Sequence, residues 1–171
     1  EVEFSSVSGG YMLKIIEKLK TDAWRTAGAR YNAARRLKRR DLFSTISLSL
    51  FSAAGVGLAV IQKIYNPQSG SSLDNYLTGL SVCLSVFLLV ISLIEWGAGN
   101  SVKADRLHQN AEELSAFWRR LDLVIVGLQS QPPTQANPSS AAEYLKEYDE
   151  IKEKCGFNHD PLDDHLFVSS Q

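Results

Sequence analysis

Two stretches of this sequence lack charge altogether. No Asp, Glu, Lys, Arg or His occurs from Leu42 to Gln62, nor from Asn75 to Ile94. Each run is about 20 residues, which as a helix is roughly 30 Å, the thickness of a bilayer's hydrocarbon core. A buried helix in a chain of 171 residues seldom needs that length twice. Cysteine is nearly absent too. Cys83 and Cys155 lie far apart, which excludes a disulfide framework, and no Cys/His spacing suits zinc. The expectation is one buried small hydrophobe, Cys83, and one helix-end thiol, Cys155, in a reducing compartment.

Catalytic motifs are also missing. Gly97 and Gly99 of WGAGNSV have no third glycine at the required position and no strand ahead of them. His108 and Glu112 stand one helical turn apart and could hold a metal, but such a pair is far more often a solvated surface. The segment NHDPLDDHLF gathers His159, Asp160, Asp163, Asp164 and His165. A metal or acid–base cluster is one reading. Turn residues in an exposed acidic tail are the commoner one. The chain is therefore expected to be no enzyme, with no metal, no cofactor and no nucleic-acid partner.

The charge that is present is segregated. Residues 1–40 carry ten Lys/Arg against four Asp/Glu, whereas residues 131–171 carry three against eight. The basic excess peaks at RRLKRR, where Arg35, Arg36, Lys38, Arg39 and Arg40 stand directly before the first uncharged run. Between the two runs YNPQSGSSLDN is rich in Asn, Pro, Gly and Ser, so it breaks the helix and makes a short turn. Phe43, Tyr65, Tyr76 and Trp96 sit at the run edges, where aromatic rings favour the headgroup level. About forty residues of charged helix precede the first run and no cleavage site follows it, so it does not read as a signal peptide. These features predict an all-α integral membrane protein: a two-span helical hairpin extended into a cytoplasmic helical bundle. Lys63 alone marks the connector, against seven cations from Arg25 to Arg40 and four from Lys103 to Arg120. Both termini are thus expected in the cytoplasm of a cell with its inner membrane spanned twice, the five basic residues anchoring the first span at an anionic leaflet.

The expected layout is a basic helix over 1–41, spans over 42–62 and 75–96 joined by an external loop at 63–74, a long helix over 97–130, a loop at 131–140, and a C-terminal helix and tail over 141–171. Leu107, Ala111, Leu114, Trp118, Leu121, Ile125 and Leu128 alternate gaps of four and three, a coiled-coil-like seam. Ile16, Ala23, Ala27, Ala34 and Leu37 form a weaker one, with Lys20 and Arg30 intruding. Tyr144, Tyr148, Ile151 and Cys155 repeat the spacing.

Two further stripes lie inside the spans. Thr45, Ser49, Ala53 and Gly57 recur every fourth residue, a helix-packing face of the kind that lets backbones approach in lipid. Ser81, Ser85, Leu88, Ser92 and Glu95 share one arc of the second span. As a pore lining around an oligomer axis they would place Glu95 at the cytoplasmic mouth. Alternatively, the serines bond to their own helix and Glu95 reaches interfacial water.

Three segments, ARYNAARRLKRRDLFSTIS, VKADRLHQNAEELSAFWRRL and EYDEIKEKCGFNHDPLDDHLF, resemble the SLATT family of prokaryotic two-span effectors. The family tends to carry an Asn-His followed by Asp and an aromatic. Asn158, His159 and Asp163 match, while Asp164 stands where the aromatic is often found. The resemblance implies a membrane effector of antiviral or other conflict systems that forms a pore and stops growth. Its partners would be the lipid bilayer, further copies of itself, and a cytoplasmic sensor protein or a nucleotide second messenger made by a separate enzyme. A membrane-anchored scaffold that recruits cytoplasmic partners without conducting would explain the anchors and seams equally well.

Overall fold

The computed structural model describes residues 2–65, 67–130, 138–158 and 160–169, with side chains from Tyr11 onward except at 138 and 139. All regular structure among them is helical: α1 (Val2–Tyr65), α2 (Ser72–Ala98), α3 (Asn100–Ser130), α4 (Pro138–Lys154) and α5 (Pro161–Ser169). The chain divides into two compact units. One comprises Glu1–Arg36 with Val102–Gln171, the other Leu37–Ser101. The first expected span is the second half of α1, which runs unbroken from the basic region into the apolar one.

The larger unit is a bundle around one apolar core. Met12, Ile16, Leu19, Ala23 and Ala27 of α1 meet Leu114, Phe117, Leu121 and Ile125 of α3, with Ala141 and Ile151 of α4 closing the side. The α3 seam read from spacing is the buried face, except that Trp118 and Leu128 are half-buried at its margin and Phe117 takes the centre. Alanines at 23, 27, 29, 33 and 34 are all buried. Their small side chains let neighbouring helices come close to the α1 backbone over this stretch. Lys20 does not intrude on the core, because its ammonium reaches outward to the Asp122 carboxylate.

The smaller unit is an antiparallel hairpin. Its turn is set by Gly70 at φ 78, a left-handed conformation that favours glycine. Ser71 then caps α2, its hydroxyl accepting from the Asp74 amide at 3.2 Å while the Asp74 carboxylate accepts from the Gly70 amide at 3.2 Å. This is a reciprocal capping arrangement. Half-buried Ser44, Leu48, Gly55, Leu58 and Gln62 on α1 face half-buried Leu77, Ser81, Leu84, Leu88, Ile91 and Glu95 on α2. The register is fixed by Gln62 donating to the Thr78 hydroxyl at 3.1 Å and by Phe51 edge-on to Phe87 at 6.0 Å. Extending it brings Ser44 level with Glu95. The helix leaving the second span is interrupted: α2 ends at Ala98, and Gly99 turns left-handed at φ 57. The chain thus enters the hairpin on one continuous helix, α1, and leaves it across a break between α2 and α3.

Two corrections concern the thiols and the tail. Cys83 is exposed on the outside of the hairpin, while Cys155 is the buried one. An apolar run places a residue in the core only if a partner covers it, and here nothing in the hairpin does. The tail, expected as turn residues in an exposed acidic end, forms the helix α5, whose Asp163 is fully buried.

Candidate functional site

The hairpin's outer surface is its most informative feature. Leu50, Val56, Val60 and Ile64 on α1, and Val82, Val86, Leu89 and Leu93 on α2, are all exposed. Not one residue of α2 is buried. A water-soluble domain does not leave so large an apolar area uncovered. Both apolar helical stretches are long enough to cross a bilayer and contain no fully buried residue, unlike the core helix of a soluble protein. Phe43, Tyr65, Tyr76 and Trp96 are exposed at the edges of this surface.

The stripes fall on particular faces. Of the small-residue set, Thr45, Ser49 and Ala53 are exposed and only Gly57 is half-buried. A side chain added at Gly57 would meet nothing within 4 Å, whereas one at Gly55 would lie 3.7 Å from Leu84. The close approach within the hairpin is therefore made at Gly55, and the stripe points away from α2. The second set splits. Ser81, Leu88 and Glu95 lie on the half-buried face toward α1, and Ser85 and Ser92 are exposed. The Ser81 hydroxyl donates to the Leu77 carbonyl at 2.9 Å, Ser85 to Ser81 at 2.8 Å and Ser49 to Thr45 at 2.8 Å. Such bonds within one helix let a hydroxyl lie in lipid without an orphaned proton.

Among the five basic anchors, Arg35, Lys38, Arg39 and Arg40 are exposed and enter no ion pair among the described residues. Arg36 is committed elsewhere, to Asp160 at 2.5 Å and to Asp163 at 3.0 Å. Arg25 forms a two-pronged pair with Asp164 at 2.7 and 2.5 Å, and that partner raises its pKa. Phe167 packs edge-on to Trp24 at 4.7 Å and lies over Gly28, where any side chain would overlap its ring. The three aspartates proposed from sequence as a metal or acid–base group thus serve as a clasp that holds α5 on α1. His159 lies outside the described residues. No three His, Cys, Asp or Glu among the described residues converge on one point. His108 pairs with Glu112 at 3.4 Å and packs edge-on to Tyr31.

Sequence reasoning missed α5, although a signal was present. In DPLDD, Asp160 precedes a proline at the first helical position, and the Asp163 carboxylate returns to accept from the Asp160 amide at 3.1 Å. That is one half of a capping box, the Asp163 amide bonding instead to the Asp160 backbone carbonyl at 2.9 Å. It also missed two buried polar residues that finish α4. Asn110 donates to the Ile151 carbonyl at 2.5 Å and Arg30 to the Lys152 carbonyl at 3.3 Å, satisfying carbonyls that the helix end leaves open.

An all-helical chain with an uncovered apolar hairpin and a packed polar-surfaced bundle is a membrane protein with two candidate transmembrane helices. It belongs to the SLATT family of two-transmembrane effectors of conflict systems: residues 12–171 match the profile of the SMODS and SLOG-associating 2TM effector domain family 5. Comparison with curated proteins and with solved structures finds no match to the chain.

Proposed function

We propose that this chain is the membrane effector of a bacterial antiviral or conflict system, forming a homo-oligomeric pore in the cell inner membrane that disrupts it and stops growth when triggered. Both termini and the bundle lie in the cytoplasm, within reach of a sensor protein or a nucleotide second messenger. On this reading the protein is not an enzyme, and leakage is the lethal act. The observation that carries the proposal is the outward face of the hairpin. Alongside its apolar side chains it exposes the hydroxyls of Thr45, Ser49, Ser85 and Ser92, of which Ser49 and Ser85 donate to carbonyls of their own helices and keep lone pairs free to accept from a neighbouring helix. In lipid such groups favour helix–helix contact over exposure. Two helices cannot enclose an aqueous path, so further copies complete it. The same-side placement of the termini is supported by the bundle, because residues separated by two spans pack there into a single core.

The scaffold reading draws on a different observation: Ser81 and Ser85 bond to their own helix, and Ser81, Leu88 and Glu95 turn toward α1. Reversal potential across a salt gradient in planar bilayers separates the two. Glu95→Gln is expected to weaken cation preference, and Glu95→Lys to shift it toward anions, since a ring of carboxylates at a mouth concentrates cations. Equal potentials in all three proteins would remove Glu95 from the conduction path. Absence of any current, with growth still arrested, would leave the scaffold.

A further inference from the structure

Arg30 is the anomaly of the bundle. It is only 3% exposed, yet no carboxylate answers its charge among the described residues. Its neighbours along α1 are satisfied by the clasp, Arg25 by Asp164 and Arg36 by Asp160 and Asp163. One nitrogen of Arg30 donates to the Lys152 carbonyl, and the other two, Nε and Nη1, are buried without a partner. Finishing α4 does not require a cation, because Asn110 performs the same task at the adjacent carbonyl with a neutral amide. Burial pushes the guanidinium pKa down, but arginine cannot escape the cost by losing its proton. A buried ion without a counter-ion is among the least favourable arrangements a fold can contain.

A cavity of about 440 Å³ lies against Arg30, lined also by Tyr148, Lys152, Cys155, Phe157 and Asn158. Two of its lining residues are cations and none is an acid. A second cavity of about 400 Å³ shares Tyr148 and Lys152 with it but is lined by Asp22 and Asp164 as well. Lys152 stands between the two and also pairs with Asp149 at 3.5 Å, so the cation particular to the first cavity is Arg30. Its size falls within the roughly 300–1,000 Å³ range of small-molecule sites, well beyond what a bare anion fills. Its polar side chains occur beside the rings of Tyr148 and Phe157.

We infer that this cavity binds a phosphate ester, with the phosphoryl oxygens between Arg30 and Lys152 and the organic part against Tyr148 and Phe157. A guanidinium supplies a planar fork of donors that fits phosphoryl oxygens, and an ammonium adds a second charge. The cost of the lone arginine is then offset only when ligand is bound. Asn158 is on the wall of the same cavity. The inference concerns binding and holds whether or not the hairpin conducts.

The test is calorimetric titration of the full chain in uncharged detergent with inorganic phosphate, glycerol 3-phosphate and adenosine 5′-monophosphate. At least one ester is expected to bind more tightly than inorganic phosphate. Glycerol 3-phosphate as the better ligand would point to a lipid headgroup, and the nucleotide to a soluble ligand; either supports the site. Arg30→Met is expected to weaken binding at least tenfold while melting no lower than the wild type, since it removes an uncompensated charge at similar volume. Lys152→Met changes a partly exposed side chain, so the fold is retained, and should weaken binding several-fold. Arg119→Met, on the outside of the bundle, should change nothing. Binding of inorganic phosphate alone, no binding of any probe, or equal affinity in the wild type and Lys152→Met would overturn the inference.

Discussion

The bundle and the hairpin are built on the same alternation of three and four residues, and they resolve it in opposite ways. In the bundle, Leu107, Ala111, Leu114, Leu121 and Ile125 are buried, while the remaining faces carry charge paired across helices, as in Arg120 with Glu147 and Lys154 with Glu113 at 3.2 Å. In the hairpin, Leu77, Ser81, Leu84, Leu88, Ile91 and Glu95 follow the same spacing, yet they are only half-buried and partly polar, and the apolar residues are outside. Periodicity thus tells which faces meet. What lies on the other faces tells which solvent surrounds them.

The sharpest test of this contrast is all-or-none. In a variant lacking Cys83 and Cys155, Ser69→Cys in the hairpin turn is expected to react with a membrane-impermeant thiol reagent on intact cells. Ala142→Cys on the bundle is expected to react only after lysis. Labelling of both from outside would show that the apolar runs do not separate two compartments.

A smaller effect, measurable as energy, separates the two kinds of interior. Phe117→Ala removes a ring at the centre of the bundle core and is expected to cost about 3–5 kcal/mol. Phe87→Ala removes a ring that is 49% exposed and touches Phe51. Lipid replaces most of that contact, so about 1 kcal/mol is expected from the lost aromatic pair. Urea unfolding in micelles, followed by tryptophan fluorescence, gives both values. Equal losses would mean that the hairpin interior is as tightly packed as the bundle's.

The most local expected change is confined to one helix. Gly28→Ala places a methyl group where the Phe167 ring now lies, and overpacking of this kind costs about 1–3 kcal/mol. Since α5 has nine residues and cannot persist as an isolated helix, hydrogen exchange should lose protection over 161–169 and little elsewhere. Undiminished protection there would show that α5 is held by the ion pairs alone.

The spans were legible because missing charge is a property of composition, which no tertiary contact can disguise. The α3 seam was legible because seven positions agree with one spacing. Phe117 fell outside that seam, since a wide buried face takes in residues beside the strict heptad positions. The tail was misread for the opposite reason. Its Asp, Pro and His residues are typical of turns, and α5 is helical because Arg25, Arg36 and Gly28, more than 120 residues earlier, receive it. Nothing local in the segment discloses that Asp163 will be buried. Within the hairpin, the small-residue stripe identified a face free of bulk but not what it meets. Gly55, outside the stripe, is the glycine where an added side chain would touch Leu84.

The clasp between α1 and α5 also has an order in time. Synthesis runs from Arg25 and Arg36, through both apolar stretches, to Asp160, Asp163 and Asp164. While residues 42–96 are being delivered to a membrane, the acidic partners do not yet exist, and the basic region carries its full excess of ten cations over four anions. Only when residues 160–164 have been made can Arg25 and Arg36 be neutralised. One pair of arginines thus passes through two stages, first as charge without these partners and later as the fastening of a folded bundle.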